Sequence, residues 1–187
     1  MNNKFLLIMG PSGSGKSTII NNLTKIDDRF EYISPYMTRK LRPGETDKIP
    51  VSESQLARLE NNGELLVINK LYGVSYATPK YPINKAFLDN KFPILDWPIS
   101  RLDIMETAFP DKLYRVYLEP PDLETLRRRM SDGRDKNGVR FSDAKNELEM
   151  LLRGDFDNRI DFRIINEDGM SEHVARSILR NYLKAIN

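Results

Sequence analysis

Residues 5–18 read FLLIMGPSGSGKST, and this short stretch sets the architecture of the chain. Its first part, Phe5–Met9, is an unbroken apolar run, which favours a strand buried on both faces, as in a parallel sheet. A glycine-rich turn follows, and a helical pattern that includes Leu23 begins near Gly15. A strand, a glycine-rich turn and a helix in this order form the start of a βαβ unit.

The turn at residues 10–17 matches the phosphate-binding loop pattern, which is Gly, four residues, then Gly-Lys-Ser. Glycines let the backbone aim successive N–H groups at phosphate oxygens, and the helix behind them adds its positive end. Lys16 can reach the β and γ phosphates, and the Ser17 hydroxyl can ligate Mg²⁺. The pattern predicts an ATP or GTP site. The residues expected to contact the nucleotide are Gly10, Pro11, Ser12, Gly13, Ser14, Gly15, Lys16, Ser17 and Thr18.

Length and composition exclude several classes of protein. The 187 residues suit one domain with insertions, which can form a core without a disulfide or metal. The 29 Lys and Arg nearly balance the 27 Asp and Glu, which argues against a dedicated nucleic-acid binder. Cysteine is absent, which excludes a disulfide scaffold and fits a reducing compartment. No apolar run approaches the about 18 residues of a membrane span, so a soluble, cytoplasmic protein is expected.

The rest of the chain alternates predicted strands and helices around one irregular segment. Further apolar strands are predicted at Phe92–Asp96, 113–118 and Phe162–Ile165. Residues 31–80 differ, because short apolar pieces mix there with prolines and glycines, and one helix is expected near Glu53–Asn61. A helix is also expected over 83–90. This order predicts an α/β fold, a parallel sheet with helices on both faces and an inserted subdomain of short strands.

A phosphate-binding loop serves kinases, GTPases and motor ATPases alike, so other segments have to discriminate among them. Common GTPases read guanine with an Asn-Lys-x-Asp motif, whereas residues 69–72 of this chain read NKLY. Motor ATPases are usually longer than this chain. Neither class is favoured.

Several segments closely resemble guanylate kinases, in the same order along the chain. Residues 10–18 resemble the family's phosphate-binding loop, and residues 38–45, TRKLRPGE, resemble its more specific Thr-Arg-x-x-Arg-x-Gly-Glu segment. Residues 94–96, 118–128 and 162–167 resemble its later strands and its Pro-Pro helix entry. The resemblance covers nearly the whole chain and implies a P-loop NTPase fold.

This resemblance also implies an organisation and a reaction. Residues 1–187 would form a single guanylate kinase-like domain, with a core at 1–33 and 91–187, an acceptor-binding insert at 34–90 and a short lid at about 131–141. The reaction would be ATP-dependent phosphoryl transfer to a nucleoside monophosphate, with GMP first, and Mg²⁺ as cofactor. The expected partners are ATP and a small phosphorylated acceptor, with no nucleic acid and no membrane, for a monomer or homodimer.

The resemblance further implies roles for single residues. Lys16, Arg134 and Arg140 would be catalytic, because their charges can offset the charge that spreads over a phosphoryl group in transfer. Ser17 would ligate Mg²⁺, and Asp96, at the carboxyl edge of a core strand, could orient the waters of the ion or an acceptor group. The residues implied to bind the acceptor are Ser34, Arg39, Arg42, Tyr76, Thr78 and Asp96.

Arg39 and Arg42 lie three residues apart in a turn-rich stretch, so their guanidinium groups could converge on one phosphate. A solvated basic turn is the alternative interpretation. In the family, a tyrosine at the position of Tyr76 also touches that phosphate, and a small hydroxyl residue at the position of Thr78 lies near the base.

The base-reading positions of the family differ in this chain. Guanylate kinases read guanine through a Ser, a Tyr and a Glu. Counting along the sequence places Pro35, a residue near Lys48, and Val67 at these positions, with Ser34 adjacent to the first. A valine cannot accept hydrogen bonds from guanine, so the phosphate-holding half of the site is kept and the base-reading half is altered.

Two other functions stay open on this ground. Bacterial ribose 1,5-bisphosphate kinases resemble guanylate kinases but lack base reading, and their Tyr-x-Thr-Arg segment resembles residues 36–39. Guanylate kinase-like scaffold domains bind protein partners and typically lose the loop lysine, whereas Lys16 is present here.

Overall fold

The structure is a computed structural model that describes residues 3–131, 135 and 137–187. The strands are β1 (Phe5–Met9), β2 (Phe30–Tyr32), β3 (Tyr36–Met37), β4 (Ile49–Pro50), β5 (Leu65–Leu71), β6 (Val74–Pro79), β7 (Phe92–Asp96), β8 (Leu113–Glu119) and β9 (Phe162–Ile165). The helices are α1 (Lys16–Ile26), α2 (Glu53–Asn61), α3 (Lys80–Leu88), α4 (Leu102–Ala108), α5 (Leu123–Arg129), α6 (Val139–Leu152) and α7 (Ser171–Ile186), with 3₁₀ turns at Ile99–Arg101 and Asp157–Arg159.

The central sheet has five strands in the order β2-β7-β1-β8-β9, and every neighbouring pair is parallel. The predicted α/β class is therefore confirmed. The strands predicted at 92–96 and 162–165 are found with those bounds, and the strand predicted at 113–118 extends one residue further. The fifth strand, β2, was not predicted, because three residues are too few to carry a periodic signal.

Strand β1 is buried on both faces, as its unbroken apolar sequence predicts. Leu6 and Ile8 pack into one core cluster with α1 and α7, whereas Leu7 and Met9 pack into a second cluster with α3 and α4. Successive side chains of a strand point to opposite faces, so one apolar strand serves both clusters. Burying each large apolar side chain stabilises the fold by about 1.5–3 kcal/mol. Strand β1, the middle strand of the sheet, contributes such side chains to both clusters.

The insert forms its own four-stranded sheet, in the order β4-β3-β6-β5, which is covered by α2. Strands β5 and β6 form a hairpin whose turn residues, Tyr72 and Gly73, have φ angles of 50° and 76°. Two consecutive positive φ angles are typical of the tight hairpin turn that follows the twist of the strands. Helix α2 has the bounds that the sequence predicts, and its Ser52 and Gln55 form a capping box.

Helix α3 begins three residues earlier than the expected 83–90 and ends at Leu88. Pro82 lies in its first turn, where a missing N–H breaks no intrahelical hydrogen bond, so a proline there does not mark the start of the helix. Ile83 and Ala86 pack into the core cluster that also holds Leu7. The strand-rich part of the insert is thereby tied to the core by its returning helix.

The predicted lid overlaps the undescribed part of the chain, since Gly133 and Arg134 lie outside the described residues. The described lid residues lead into α6, where the carboxylate of Asp135 accepts hydrogen bonds from the backbone N–H groups of Arg140 and Phe141, both at 2.9 Å. This satisfies two donors of the first turn and fixes the start of the helix. Among the helices described, none is long and apolar enough to cross a membrane.

Candidate active site

The phosphate-binding loop joins the end of β1 to the start of α1, and its glycines are required by the local geometry. Gly10, Gly13 and Gly15 have φ angles of 133°, 85° and 99°, which L side chains rarely adopt. A Cβ atom on Gly10 would collide with the carbonyl oxygen of Leu118, and one on Gly15 with the side-chain amide of Asn166. The loop is thus held close against the ends of two neighbouring strands.

Lys16 is folded back across its own loop. Its Nζ donates to the carbonyl oxygens of Gly10 at 2.7 Å and Pro11 at 2.8 Å. Burial lowers the pKa of the Lys16 ammonium, whereas the nearby carboxylates of Asp96 and Glu147 act in the opposite direction. Because α1 begins at Lys16, its first backbone N–H groups have no intrahelical acceptor and can donate to an anion.

A cleft of about 590 Å³ opens beside this loop and is lined by six of the nine residues predicted to contact the nucleotide, together with Asp96 and Arg140. Lys16, Ser17 and Asp96 share it with Arg140 from α6. Gly10, Pro11 and Ser14 lie behind its surface as buried residues of the loop. The residues that line the cleft are Ser12, Gly13, Gly15, Lys16, Ser17, Thr18, Asp96, Arg129, Arg140, Asn166, Glu167, Asp168, Gly169 and Ser171.

Arg140, one of the two predicted lid arginines, connects the loop to the tip of the insert hairpin. Its guanidinium donates to the Ser12 hydroxyl and lies over the Tyr72 ring, 5.5 Å from the ring centroid. The Tyr72 hydroxyl donates to Asp143 of α6 at 3.0 Å, and burial raises the pKa of Tyr72 to about 12. The insert hairpin and α6 are therefore in contact next to Arg140, which lines the cleft. The other predicted lid arginine, Arg134, lies outside the described residues.

The opposite wall contains three residues to which the sequence assigned no role. The side chain of Asn166, at the end of β9, donates to the carbonyl oxygen of Ser14 at 2.8 Å. Arg129 donates to the carbonyl oxygen of Asn166 at 2.8 Å and to the carboxylate of Asp168 at 2.6 Å. The sequence signal for Arg129 was the run of three arginines at 127–129, which is equally typical of a solvated helix face.

Of the residues predicted to bind the acceptor, Arg39 and Tyr76 are brought together. The Nε of Arg39 donates to the Tyr76 hydroxyl at 3.3 Å, and its two terminal nitrogens donate to the carboxylate of Glu45. These bonds lower the pKa of Glu45 to about 2. Arg42 is exposed on the same turn, and its backbone N–H donates to Glu45 at 3.0 Å. One arginine is therefore fixed in place, and the other is free to reach into solvent.

Asp96 ends β7 level with Ile8, at the carboxyl edge of the central sheet. It accepts a hydrogen bond of 3.0 Å from Tyr32, a residue that sequence reasoning missed because it lies in the short β2. Burial raises the pKa of the Tyr32 hydroxyl, so Tyr32 stays a donor to this carboxylate. Trp97 is buried in the core and does not line the cleft.

The remaining positions predicted to bind the acceptor or read its base lie on the insert and at its border with the core. Thr78 is buried at 3% exposure, Ser34 is half-buried, and Val67 packs against the main core. Lys48 pairs with Asp47 at 2.8 Å. Pro35 is buried.

A divalent cation would find oxygen ligands in the cleft. No group of three or more His, Cys, Asp or Glu residues that could hold a metal occurs among the residues described. The hydroxyl of Ser17 and the carboxylate of Asp96 nevertheless line the same cleft. Mg²⁺ prefers such oxygen ligands and keeps several of its waters, so two protein groups together with phosphate oxygens suit it.

Comparisons with solved structures agree with this fold. The crystal structure of guanylate kinase from Anaplasma phagocytophilum matches with a TM-score of 0.77 and 21% identity, over 98% of this chain and 86% of that chain. Shikimate kinase from Acinetobacter baumannii, solved in complex with shikimate, matches with a TM-score of 0.53 and 14% identity, over 97% of this chain and 94% of that chain. At these identities the likeness shows the fold alone.

Comparisons with protein sequences are more specific. A guanylate kinase from Gluconobacter oxydans (strain 621H) is 33% identical over 186 residues, covering 93% of this chain and 85% of the relative. One from Lactobacillus johnsonii is 33% identical over 159 residues, covering 81% and 78%. The family model described as guanylate kinase matches residues 2–182. The chain therefore belongs to the guanylate kinase family.

Proposed function

We propose that this chain transfers the γ-phosphoryl group of ATP to GMP, giving ADP and GDP. The observation that carries the proposal is the cleft in which Lys16, Ser17, Asp96 and Arg140 meet. We infer GMP as the acceptor because the related proteins are named guanylate kinases. The membership of the chain in a family of nucleotide kinases agrees with the chemistry that these four side chains can perform.

On the donor side, we assign the triphosphate to the loop. The backbone N–H groups at the start of α1 and the Lys16 ammonium are donors for phosphate oxygens. Phosphate oxygens would take the place of the Gly10 and Pro11 carbonyls that Lys16 now contacts. The Ser17 hydroxyl would ligate Mg²⁺, and Asp96 would hold a water of that ion. When bound, Mg²⁺ neutralises charge on the β and γ phosphates.

On the acceptor side, we assign the phosphate of the monophosphate to Arg39, with Tyr76 and Arg42 beside it. Its oxygens are already largely ionised near neutral pH, so the reaction needs no strong general base. Catalysis is then mostly positioning and electrostatic stabilisation, which is the task of Lys16 and Arg140. The contact of the hairpin tip with α6 would close the cleft and exclude water, which limits hydrolysis of ATP.

The experiment is an ADP-release assay with ATP, Mg²⁺ and a panel of acceptors: GMP, dGMP, AMP, UMP, CMP and ribose 1,5-bisphosphate. We expect turnover with GMP. Turnover with the sugar and none with GMP would overturn the proposal in favour of a ribose 1,5-bisphosphate kinase. No turnover with any acceptor, together with a protein partner recovered by pull-down, would favour a scaffold domain. The cytoplasmic location and the monomeric or homodimeric state stay predictions.

A further inference from the structure

Asn69 is a buried polar residue on the core-facing side of the insert hairpin. In the antiparallel register of β5 and β6, Asn69 lies opposite Tyr76, and Val67 lies opposite Thr78. Directly opposed residues, and residues two apart on one strand, point to the same face of a sheet. Val67 packs against the main core, so this face is turned towards the core and the other face towards α2.

The Asn69 side chain has an unsatisfied hydrogen-bonding group. The residue is only 6% exposed, and its Oδ1 is enclosed without a hydrogen-bond donor in the described part of the chain. Buried polar atoms in proteins nearly always have a partner, and leaving one unpaired is unfavourable. An apolar residue would fill the same place at lower cost, so the unpaired oxygen points to a ligand that supplies the missing donor.

The neighbours of Asn69 link it to the acceptor site. Its cross-strand partner, Tyr76, accepts a hydrogen bond of 3.3 Å from Arg39, the arginine assigned to the acceptor phosphate. Thr78, on the same face, is also buried. Tyr76, which supports the phosphate-holding Arg39, and the unpaired amide of Asn69 therefore lie on one face of the hairpin, beside Thr78, the position that the family resemblance places near the base.

We propose that Asn69 reads the base of the acceptor nucleotide. A carboxamide carries an acceptor and a donor side by side, so Oδ1 can accept from the guanine N1–H while Nδ2 donates to guanine O6. Val67, two residues earlier on the same face, has no group that can do this. Asn69 would thus supply base recognition from the next position along the same face of the strand. This inference rests on the proposed function.

The test compares the wild type with Asn69→Leu on two acceptors, GMP and N1-methyl-GMP, whose N1–H is blocked. We expect the substitution to lower kcat/KM for GMP by about 10- to 100-fold, the equivalent of two lost hydrogen bonds, and to leave that for N1-methyl-GMP nearly unchanged. The melting temperature should stay the same or rise, because leucine removes an unpaired buried oxygen. Asn69→Asp should lose less activity, since a carboxylate still accepts from N1–H.

Ser75→Ala is the matched control, because Ser75 is equally buried at 6% exposure but belongs to the opposite face of the hairpin. Ser75→Ala should leave the ratio of kcat/KM for GMP to kcat/KM for N1-methyl-GMP unchanged. An equal loss on GMP and N1-methyl-GMP in Asn69→Leu would show a structural role and overturn the inference, as would no loss on either. If the wild type turns over no GMP, the proposed function fails, and calorimetric binding of GMP to the wild type and Asn69→Leu then decides the inference separately.

Discussion

The guanidinium of Arg39 and the carboxylate of Glu45 form a two-pronged ion pair, with nitrogen–oxygen distances of 2.6 and 2.7 Å. Both side chains are largely shielded, at 16% and 14% exposure. The backbone N–H of Arg42 donates to the same carboxylate. Both terminal nitrogens of Arg39 are therefore engaged, so the acceptor phosphate that we assign to Arg39 would have to share them with Glu45 or displace it.

Replacing Arg39 should weaken acceptor binding more than it slows chemistry. We expect Arg39→Ala to raise KM for GMP by about 10- to 100-fold, with a smaller change in kcat, because the contact is made in the ground state as well. Arg39→Lys should restore only part of the loss, since an ammonium cannot make two parallel bonds. The measurement is initial rate against GMP at saturating ATP. Arg58→Ala, an exposed arginine on α2, is the control, and an unchanged KM in Arg39→Ala would contradict the assignment.

The same ion pair should make stability depend on pH in acid. Arg39 holds the pKa of Glu45 at about 2, below its unfolded value near 4.5. The contribution of this pair is therefore complete above about pH 4.5 and is lost as the pH falls towards 2. Glu45→Gln should remove the contribution of this ion pair. The unfolding free energy of the wild type should therefore exceed that of Glu45→Gln by on the order of 2 kcal/mol at pH 7 and by nearly nothing at pH 2. Urea unfolding at several pH values measures this, with the exposed Glu60→Gln as control. A difference independent of pH would contradict the coupling.

Those parts of the fold that local patterns specify were predictable from the sequence. The apolar run of β1 and the regular apolar stripe of α7 each predict a buried face, which the structure has. The glycines at 10, 13 and 15 predict a tight loop, and their φ angles are positive. These signals depend on residues near one another in the chain. They were sufficient to predict the fold class and to propose the donor half of the site.

The rest of the site depends on contacts between distant residues, which no local pattern records. Asn166 reaches the loop at Ser14 across 152 positions, and Tyr72 reaches Asp143 across 71. In the sequence, Asn69 stands out only as the first residue of a segment that does not match the guanine-binding motif of common GTPases. The role proposed for it comes from the hairpin register and from its burial. Base recognition therefore had to be inferred from packing.

Gly15 should tolerate alanine far worse than a glycine in open space. Its φ is 99°, and a Cβ there would collide with the side-chain amide of Asn166. Gly63 has a φ of 69° but nothing within 4 Å of an added Cβ. We expect Gly63→Ala to cost about 1–2 kcal/mol of stability through backbone strain alone. Gly15→Ala should cost more and also weaken ATP binding. Urea unfolding and calorimetry with ATP measure both, and equal costs at the two sites would contradict the close packing of the loop.

Removing the Lys16 ammonium should affect the chemical step most. We expect Lys16→Ala to reduce kcat by about 10²–10³-fold, because a preorganised positive charge next to the transferring group is lost. Lys25→Ala is the matched control, since Lys25 is an exposed lysine in the last turn of the same helix. The ADP-release assay gives both rates. Full turnover by Lys16→Ala would remove Lys16 from the catalytic machinery.

Glu147 lies on α6 and accepts a hydrogen bond of 2.7 Å from the Tyr117 hydroxyl of β8. Burial raises the pKa of Glu147, although the Tyr117 bond and the Lys16 charge oppose the shift. An acid with a raised folded-state pKa contributes stability that is complete below its unfolded pKa and is lost as the pH rises through the folded one.

Glu147→Gln cannot ionise, so it should gain stability relative to the wild type as the pH rises above the ordinary glutamate pKa of 4.5. Glutamine keeps an acceptor for Tyr117, which separates the effect of charge from that of the hydrogen bond. Urea unfolding across this range measures the difference, and Glu149→Gln, exposed on the same helix, serves as control. Parallel stability curves for the wild type and Glu147→Gln would show that the carboxylate is well solvated. The helix carrying the lid arginine would then pack without an electrostatic penalty next to the phosphate-binding loop.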